Sequence, residues 1–241
     1  MERIGNLWIE FPIMDSKISV IIPAYNEELS IGLVLKDLPQ EKLHEIIVVD
    51  NCSTDLTPQV ATENGARVVS ELRRGYGSAC LKGISALNNP DIVVFLDGDY
   101  SDYPEEISLL IDPILKGEQD FVLGSRMILP KSRKALLPQS RYGNQLAVFL
   151  IALFFGEYRF TDLGPFRAIT YNALKQIDMR DTNFGWTVEM QIKALKHKLR
   201  TLEIPVKYRE RVGVSKITGT VSGTFKAGTK IIYTIFKYLF A

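Results

Sequence analysis

A chain of 241 residues, 46% hydrophobic and 24% charged, is long enough to bury the core of one domain and too apolar for intrinsic disorder. The formal net charge of +1 hides an asymmetry: Asp91 to Asp120 holds nine acids against one base, and Gln191 to Ala241 eleven bases against two acids. That split suits a cation near the first stretch and an anionic ligand or surface near the second, or simply two solvated faces.

Met1 to Pro12 is acidic and broken, with no long apolar stretch, so no cleavable signal is read there. Met14, followed by Asp15-Ser16-Lys17, reads as a natural start, and residues 1–16 are expected to be an unstructured extension outside the fold. Ile18 to Ile22 is a strand stopped by Pro23, and Ser30 to Leu38 has the apolar spacing of a helix. Glu45 to Asp50 is a second strand, followed by a polar turn and a helix from about Thr57 with Pro58 in its first turn. Arg67-Val68-Val69 is a third strand, Gly77 to Leu87 a helix, and Ile92 to Leu96 a fourth strand too apolar for a sheet edge. In the second half, Phe121 to Gly124 reads as a strand, Tyr142 to Phe155 and Trp186 to Lys198 as helices, Leu202 to Tyr208 as a strand, and Val221 to Phe240 as the last helix. Continuously apolar strands separated by helices imply an α/β protein with a mainly parallel sheet covered on both faces. Cys52 and Cys80 lie in unrelated contexts and read as small packing residues in a reducing compartment.

In such a sheet, ligands bind beyond the carboxyl ends of the strands. The polar clusters fall there: Pro23, Tyr25 and Glu27 after the first strand, Asp50 after the second, Asp97-Gly98-Asp99 after the fourth. Two carboxylates around a glycine, which permits a sharp turn, suit Mg²⁺ or Mn²⁺ bridging a pyrophosphate and stabilising a nucleoside diphosphate as it leaves. Asp50 and Glu27 are placed to accept from a base or a ribose.

Six segments in order carry a family resemblance: Ile22 to Glu27, Val49 to Asp55, Asp97-Gly98-Asp99, Gly124-Ser125-Arg126, Asp162 to Arg167 and Arg211 to Lys216. Together they resemble family 2 inverting glycosyltransferases, and among these the polyprenyl-phosphate sugar synthases such as dolichyl-phosphate mannose or glucose synthase. The resemblance implies a GT-A fold over residues 17–220, a metal-dependent UDP- or GDP-hexose donor and a lipid-phosphate acceptor. By position it implies that Tyr25, Glu27 and Asp50 hold the nucleoside. Asp97 and Asp99 would take the ribose, metal and pyrophosphate, with Asp99 catalytic, while Arg126 and Arg141 would contact the acceptor phosphate. Arg211 and Lys216, on a mobile loop, would close over the donor. Three positions depart from the family pattern: Asn51-Cys52 replaces an acidic residue and glycine, Ser101 a metal-binding Gln, and Gly164-Pro165 the usual Ser-Gly before Phe166-Arg167.

A phosphate acceptor is already ionised and needs no general base, only arginines to position it. A sugar or glycan hydroxyl, as in cell-surface polysaccharide synthesis, would need Glu189 or Asp162 as base. A third reading is a non-catalytic nucleotide-sugar-binding protein, and both alternatives stay open. The fully apolar run Leu146 to Phe155 is too short to span a bilayer, and the final helix (residues 221–241) sets Lys226, Lys230 and Lys237 beside Phe225, Ile232, Phe236 and Phe240. Both suit either a membrane interface or core and homo-oligomer packing, giving a cytoplasmic protein with at most peripheral membrane contact. The tail's aromatic residues read as packing rather than base stacking, so no nucleic-acid partner is expected.

Overall fold

The computed structural model describes residues 2–4, 7–9, 16–156, 160–213 and 221–240, with residues 2–4, 7–9 and 221–225 described as backbone only. Val214-Ser215-Lys216 and the side chain of Phe225 therefore lie outside the described residues. The N-terminal segment, expected to be unstructured, instead contains a two-stranded antiparallel ribbon, β1 (Glu2–Ile4) with β2 (Leu7–Ile9), in a sheet of its own.

The main sheet has seven strands in the order β5-β4-β3-β6-β8-β7-β9. β3 (Ile18–Ala24) lies between β4 (Glu45–Asp50) and β6 (Ile92–Phe95), with β5 (Arg67–Ser70) at the edge, all parallel. β7 (Phe121–Ser125) is parallel to β9 (Thr201–Pro205), while β8 (Arg167–Thr170) runs antiparallel between β6 and β7. The sheet is thus mainly parallel as expected, but β8 has no counterpart in the sequence reading: it is four residues long and opens on a buried arginine.

Period-two alternation divides the sheet into two cores. Val20, Ile22, Val48 and Val94 face α1 (Ile31–Asp37), α2 (Thr57–Glu63) and α4 (Ile107–Leu115). Ile21, Val49, Val93 and Phe95 face α3 (Tyr76–Ser85), α6 (Pro138–Phe155), α7 (Tyr171–Ile177), α8 (Trp186–Lys196) and α9 (Val221–Leu239). A short α5 (Pro130–Ala135) precedes α6. The chain moves outward from β3 through β4 to β5, then returns to β6 on the other side of β3. That reversal opens a crevice at the carboxyl ends of β3 and β6.

α6 is not the wholly buried helix that its composition allows. Ala147 and Ile151 are buried, whereas Tyr142, Leu146, Phe149 and Leu153 are 50–73% exposed, at spacings of four, three and four that form one stripe. α9 packs beside it, with the Phe154 and Phe236 rings 5.6 Å apart, and also turns apolar residues outward, notably Tyr233, with Phe240 exposed just after its end.

The start of α3 is packed against the segment before α8 so closely that only glycine fits. A Cβ on Gly77 would lie 2.1 Å from the carbonyl oxygen of Asp181. Gly77→Ala must displace backbone, and its expected cost is about 1–3 kcal/mol, a melting temperature lower by several degrees in a thermal scan.

Candidate active site

Three adjacent strands end in turns that each place one non-glycine residue in the left-handed region: Asn26 (φ 53°), Cys52 (φ 65°) and Tyr100 (φ 61°). Such conformations persist where the surroundings over-determine them. At Cys52 the determinant is Asn51, whose Nδ2 donates to the carbonyls of Glu71 (2.8 Å) and Arg73 (2.9 Å) while its Oδ1 accepts from Gly75 N (2.8 Å). An aspartate could not make the two donations. In the turn that carries Asp97-Gly98-Asp99 the left-handed residue is the following Tyr100, not Gly98; a Cβ at 98 would make ordinary contacts of 3.4 Å and longer. The glycine is therefore not what makes this turn.

These ends border one cleft of about 330 Å³, lined by Pro23, Ala24, Tyr25, Glu27, Asn51, Arg74, Gly75, Tyr76, Ala79, Asp97, Gly98, Asp99, Asn183, Phe184 and Arg211. Arg74 stacks over the Tyr25 ring at 4.0 Å. Glu27 Oε2 accepts from Ser30 Oγ (3.0 Å), and Asp99 Oδ1 from Ser101 N (2.9 Å). Arg211 bridges the two acids, with Nη2 2.9 Å from Glu27 and Nη1 3.2 Å from Asp99. It is delivered by backbone pairing with the acidic loop, Arg209 N to Ser101 O (2.9 Å) and Val212 N to Asp99 O (3.0 Å). The Arg209 guanidinium is packed against the Tyr100 and Tyr103 rings at 3.5 and 4.1 Å.

Burial and the neighbouring Asp99 raise the Asp97 carboxyl to about 7 against the opposing pull of the Tyr76 hydroxyl, and its buried Oδ1 makes no hydrogen bond of ordinary geometry among the described residues. A divalent cation would supply that missing partner and favour the ionised form. Among the described residues no three carboxylate, imidazole or thiolate groups converge on one point. Two carboxylates completed by substrate phosphates is the manner in which Mg²⁺ is commonly held, so the donor set fits such an ion.

Arg126 follows β7, with its Nε and Nη2 on the two Asp162 oxygens at 2.7 and 2.9 Å. Burial alone would lower its pKa; the Asp162 carboxylate outweighs that and holds the guanidinium well above its ordinary value. Asn144 of α6 donates to Thr161 O (2.9 Å) and accepts from Leu163 N (2.8 Å), fastening the helix to the segment that carries Asp162. Arg141 lies one turn before Asn144 on the same helical face, with Nε buried and unpartnered among the described residues. Along α6 runs a groove of about 600 Å³ lined by Met127, Gln145, Val148, Phe149, Ala152, Leu153, Phe160 and Thr161.

Residues 19–178 match the profile of Glycosyl transferase family 2. The chain belongs to this family. The glycosyltransferase is 34% identical over 227 residues to an uncharacterized protein of Methanocaldococcus jannaschii, covering 91% of this chain and 93% of that one. It is 32% identical to the UDP-N-acetylglucosamine–dolichyl-phosphate N-acetylglucosaminyltransferase of Methanococcus voltae, over 80% of this chain and 86% of that one. Its fold is that of GT-A enzymes: glucosyl-3-phosphoglycerate synthase from Mycobacterium tuberculosis, solved with Mn²⁺, UDP-glucose and phosphoglyceric acid, superposes with a TM-score of 0.76 at 24% identity, over 99% of this chain and 85% of that one.

Of the residues singled out from the transferase sequence, Pro23, Tyr25, Glu27, Asp97, Asp99 and Arg211 converge on the cleft. Asp50 stands behind its lining, its Oδ1 accepting from Ser53 N (3.1 Å), and Arg126 and Arg141 belong to the region beside the groove. Arg167 is a core residue, fully buried and bonded to the carbonyls of Leu163, Gly164 and Thr187. Glu189 is fully buried and far from available as a base: it accepts from the backbone N–H groups of Arg180 and Asp181 and from Tyr238 Oη, and pairs with Lys193. Sequence reasoning missed Arg74, Tyr76, Asn183 and Phe184. The run Arg73-Arg74-Gly75-Tyr76-Gly77 between a strand and a helix was the available signal for the first two; the other two are brought in only by tertiary packing.

Behind the acidic loop, Asp102 is 1% exposed with both carboxylate oxygens unpartnered among the described residues, and burial, then the Asp97 charge, push its pKa well above the ordinary value. A carboxyl raised in this way keeps its proton longer in the folded chain than in the unfolded one, so stability falls as pH rises from the ordinary carboxylate range toward the raised value. Asp102→Asn should flatten that fall by on the order of 1 kcal/mol per pH unit. Melting temperatures measured across pH 4 to 8 check it: the variant should overtake the wild type toward the alkaline end, and parallel profiles would refute the assignment.

Proposed function

We propose that the transferase moves a hexose, with inversion, from a UDP- or GDP-sugar to a polyprenyl phosphate at a membrane surface, with Mg²⁺ or Mn²⁺ as cofactor. The observation that carries the acceptor is the engagement of both acids that a hydroxyl acceptor would require as base: Asp162 by Arg126, and Glu189 by backbone N–H groups, Tyr238 and Lys193. Asp162 is moreover held below the ordinary carboxylate range, its burial outweighed by Arg126, which makes it a weak proton acceptor. A phosphate monoester needs none.

In this reading Tyr25, Arg74 and Asp50 organise the nucleoside end of the cleft, and Asp97 and Asp99 hold the metal. When bound, the metal neutralises the charge that develops on the departing nucleoside diphosphate. Arg211 takes the donor pyrophosphate, and the family resemblance assigns Lys216 the same role. Arg126 keeps its Nη1 edge for the acceptor phosphate, since Nε and Nη2 are on Asp162, and Arg141 adds a second guanidinium. The groove along α6 takes the start of the isoprenoid chain. The dolichyl-phosphate hexose transferase of Haloferax volcanii, 30% identical over 86% of this chain and 89% of that one, supports this acceptor class. The phosphoglyceric acid bound in the solved neighbour carries a phosphate and no lipid.

No helix among the described residues is long and apolar enough to cross a membrane. The exposed stripe of α6, with Tyr233 of α9, Phe240 just after it and the exposed Lys226 and Lys237 of α9, fits an anionic lipid interface.

Incubation of the purified protein with polyprenyl phosphates, mixed sugar nucleotides and Mn²⁺, followed by mass spectrometry of the lipids, is expected to yield a hexosyl phosphopolyprenol. Asp99→Ala should abolish it. Failure to transfer from any donor in a broad panel would sink the proposal, and transfer to phosphoglycerate or a glycan alone would reassign the acceptor. Arg126→Lys, which loses the planar fork, should raise the acceptor KM about tenfold. Leu146→Asp with Tyr233→Asp, both outside the groove lining, should reduce cosedimentation with phosphatidylglycerol vesicles while leaving transfer to a short-chain soluble phosphate intact.

A further inference from the structure

The terminal helix α9 carries three lysines that its sequence places in one basic stripe, but Lys230, with its side chain 34% exposed, turns its ammonium inward. Its Nζ is 2.8 Å from Asp181 Oδ2, and that carboxylate is only 4% exposed. The other oxygen, Oδ1, accepts from the backbone N–H groups of Asn183 (2.8 Å) and Gly185 (3.2 Å), closing the turn that presents Asn183 and Phe184 to the donor cleft. The next turns of α9 hold the same segment. Thr234 leaves no room for a Cβ on Gly185, its Oγ1 being 2.4 Å from where that atom would lie, and Tyr238 Oη donates to Glu189, whose carboxylate also accepts from Asp181 N. On the opposite side, Thr182 O accepts from Ser78 N (2.9 Å) and Ser78 Oγ (3.1 Å) at the start of α3, beside Gly75 and Tyr76 of the cleft. The turn is therefore held between α9 and α3, with two of its side chains forming one wall of the cleft.

We infer that Asp181 is a positioning residue for the sugar-nucleotide donor, and that its ion pair with Lys230 makes α9 part of the donor site. The inference rests on the reading of the cleft as the donor pocket. An ion pair whose carboxylate is buried and hydrogen-bonded through its other oxygen holds geometry better than an exposed one, because that carboxylate has no solvated alternative at equal cost. Loss of Lys230 leaves Asp181 charged and uncompensated, free to reorient and release Asn183 and Gly185. The consequence falls on the wall of the cleft rather than on the sheet beneath it.

The test uses the full chain with UDP and GDP as probes in the presence of Mn²⁺, read by calorimetry. Lys230→Met keeps the length of the side chain and removes its charge; Asp181→Asn keeps an acceptor for Asn183 and Gly185 and removes the ion pair. Each should weaken nucleotide binding about tenfold, the double variant should be no weaker than either single one, and Lys230→Arg should restore affinity. Hydrogen exchange should quicken at the amides of Asn183, Gly185 and Ser78 while strands β3 and β6 stay protected. Lys230→Met that binds nucleotide as the wild type does overturns the inference, as does simple additivity in the double variant. If Asp181→Asn does not fold, the Lys230 pair of variants decides alone. A wild-type protein that binds neither nucleotide refutes the donor pocket instead, and exchange in Lys230→Met then judges the coupling, unchanged amides at 183, 185 and 78 counting against it.

Discussion

Carboxylates gathered at the carboxyl ends of a buried parallel sheet repel one another unless a cation stands among them. Here Arg211 does so, bridging Glu27 and Asp99 across 184 positions of sequence for the first pair. Because β3 and β6 are neighbours in the sheet, their acids cannot be separated without breaking the fold, and the cation has to come to them. The second half of the chain brings it. Segment 208–212 pairs through its backbone with the acidic loop, and the Arg209 guanidinium packs between two tyrosines there, so charge balance and chain closure are one arrangement. Asp97 is left with an unpartnered buried oxygen, and this residual imbalance is what a divalent ion with its phosphates is suited to remove.

The half of the fold that holds these acids was readable because its strands are continuously apolar and end abruptly in polar turns. Ile18 to Ile22 and Ile92 to Leu96 permit one interpretation only, and with it the positions of Tyr25, Glu27, Asp97 and Asp99 follow. The second half resisted for the same physical reason in reverse. β8 buries an arginine, α6 exposes most of an apolar face, and the turn bearing Asn183 and Phe184 is shaped by partners on α3 and α9 rather than by its own residues. Local patterns report on local forces, and these elements are set by distant ones.

Two of the departures from the family pattern have structural sense. Asn51 replaces an acid because its amide must both donate and accept to hold the loop that ends at Gly75. Cys52 then adopts a left-handed conformation in which glycine would be unstrained. Gly164 sits where a Cβ would come within 2.8 Å of Gly124 O, so close approach of two backbones, not flexibility, requires a glycine there.

The clamped state of Arg126 bears on the proposed acceptor in two opposed ways. Asp162 cancels much of its charge and so weakens attraction for a phosphate, yet the same two hydrogen bonds fix the plane of the guanidinium and remove the side-chain entropy that binding would otherwise have to overcome. For a soluble acceptor at low concentration the first effect would dominate, because affinity limits the encounter. For an acceptor confined to a surface on which the protein itself is docked, effective concentration is high and the second effect dominates: orientation, not affinity, then limits the rate. An arginine held by a buried carboxylate, near an apolar groove that runs along a helix with an exposed apolar stripe, therefore suits the proposed acceptor, a phosphate arriving in the plane of a membrane, better than one arriving from solution.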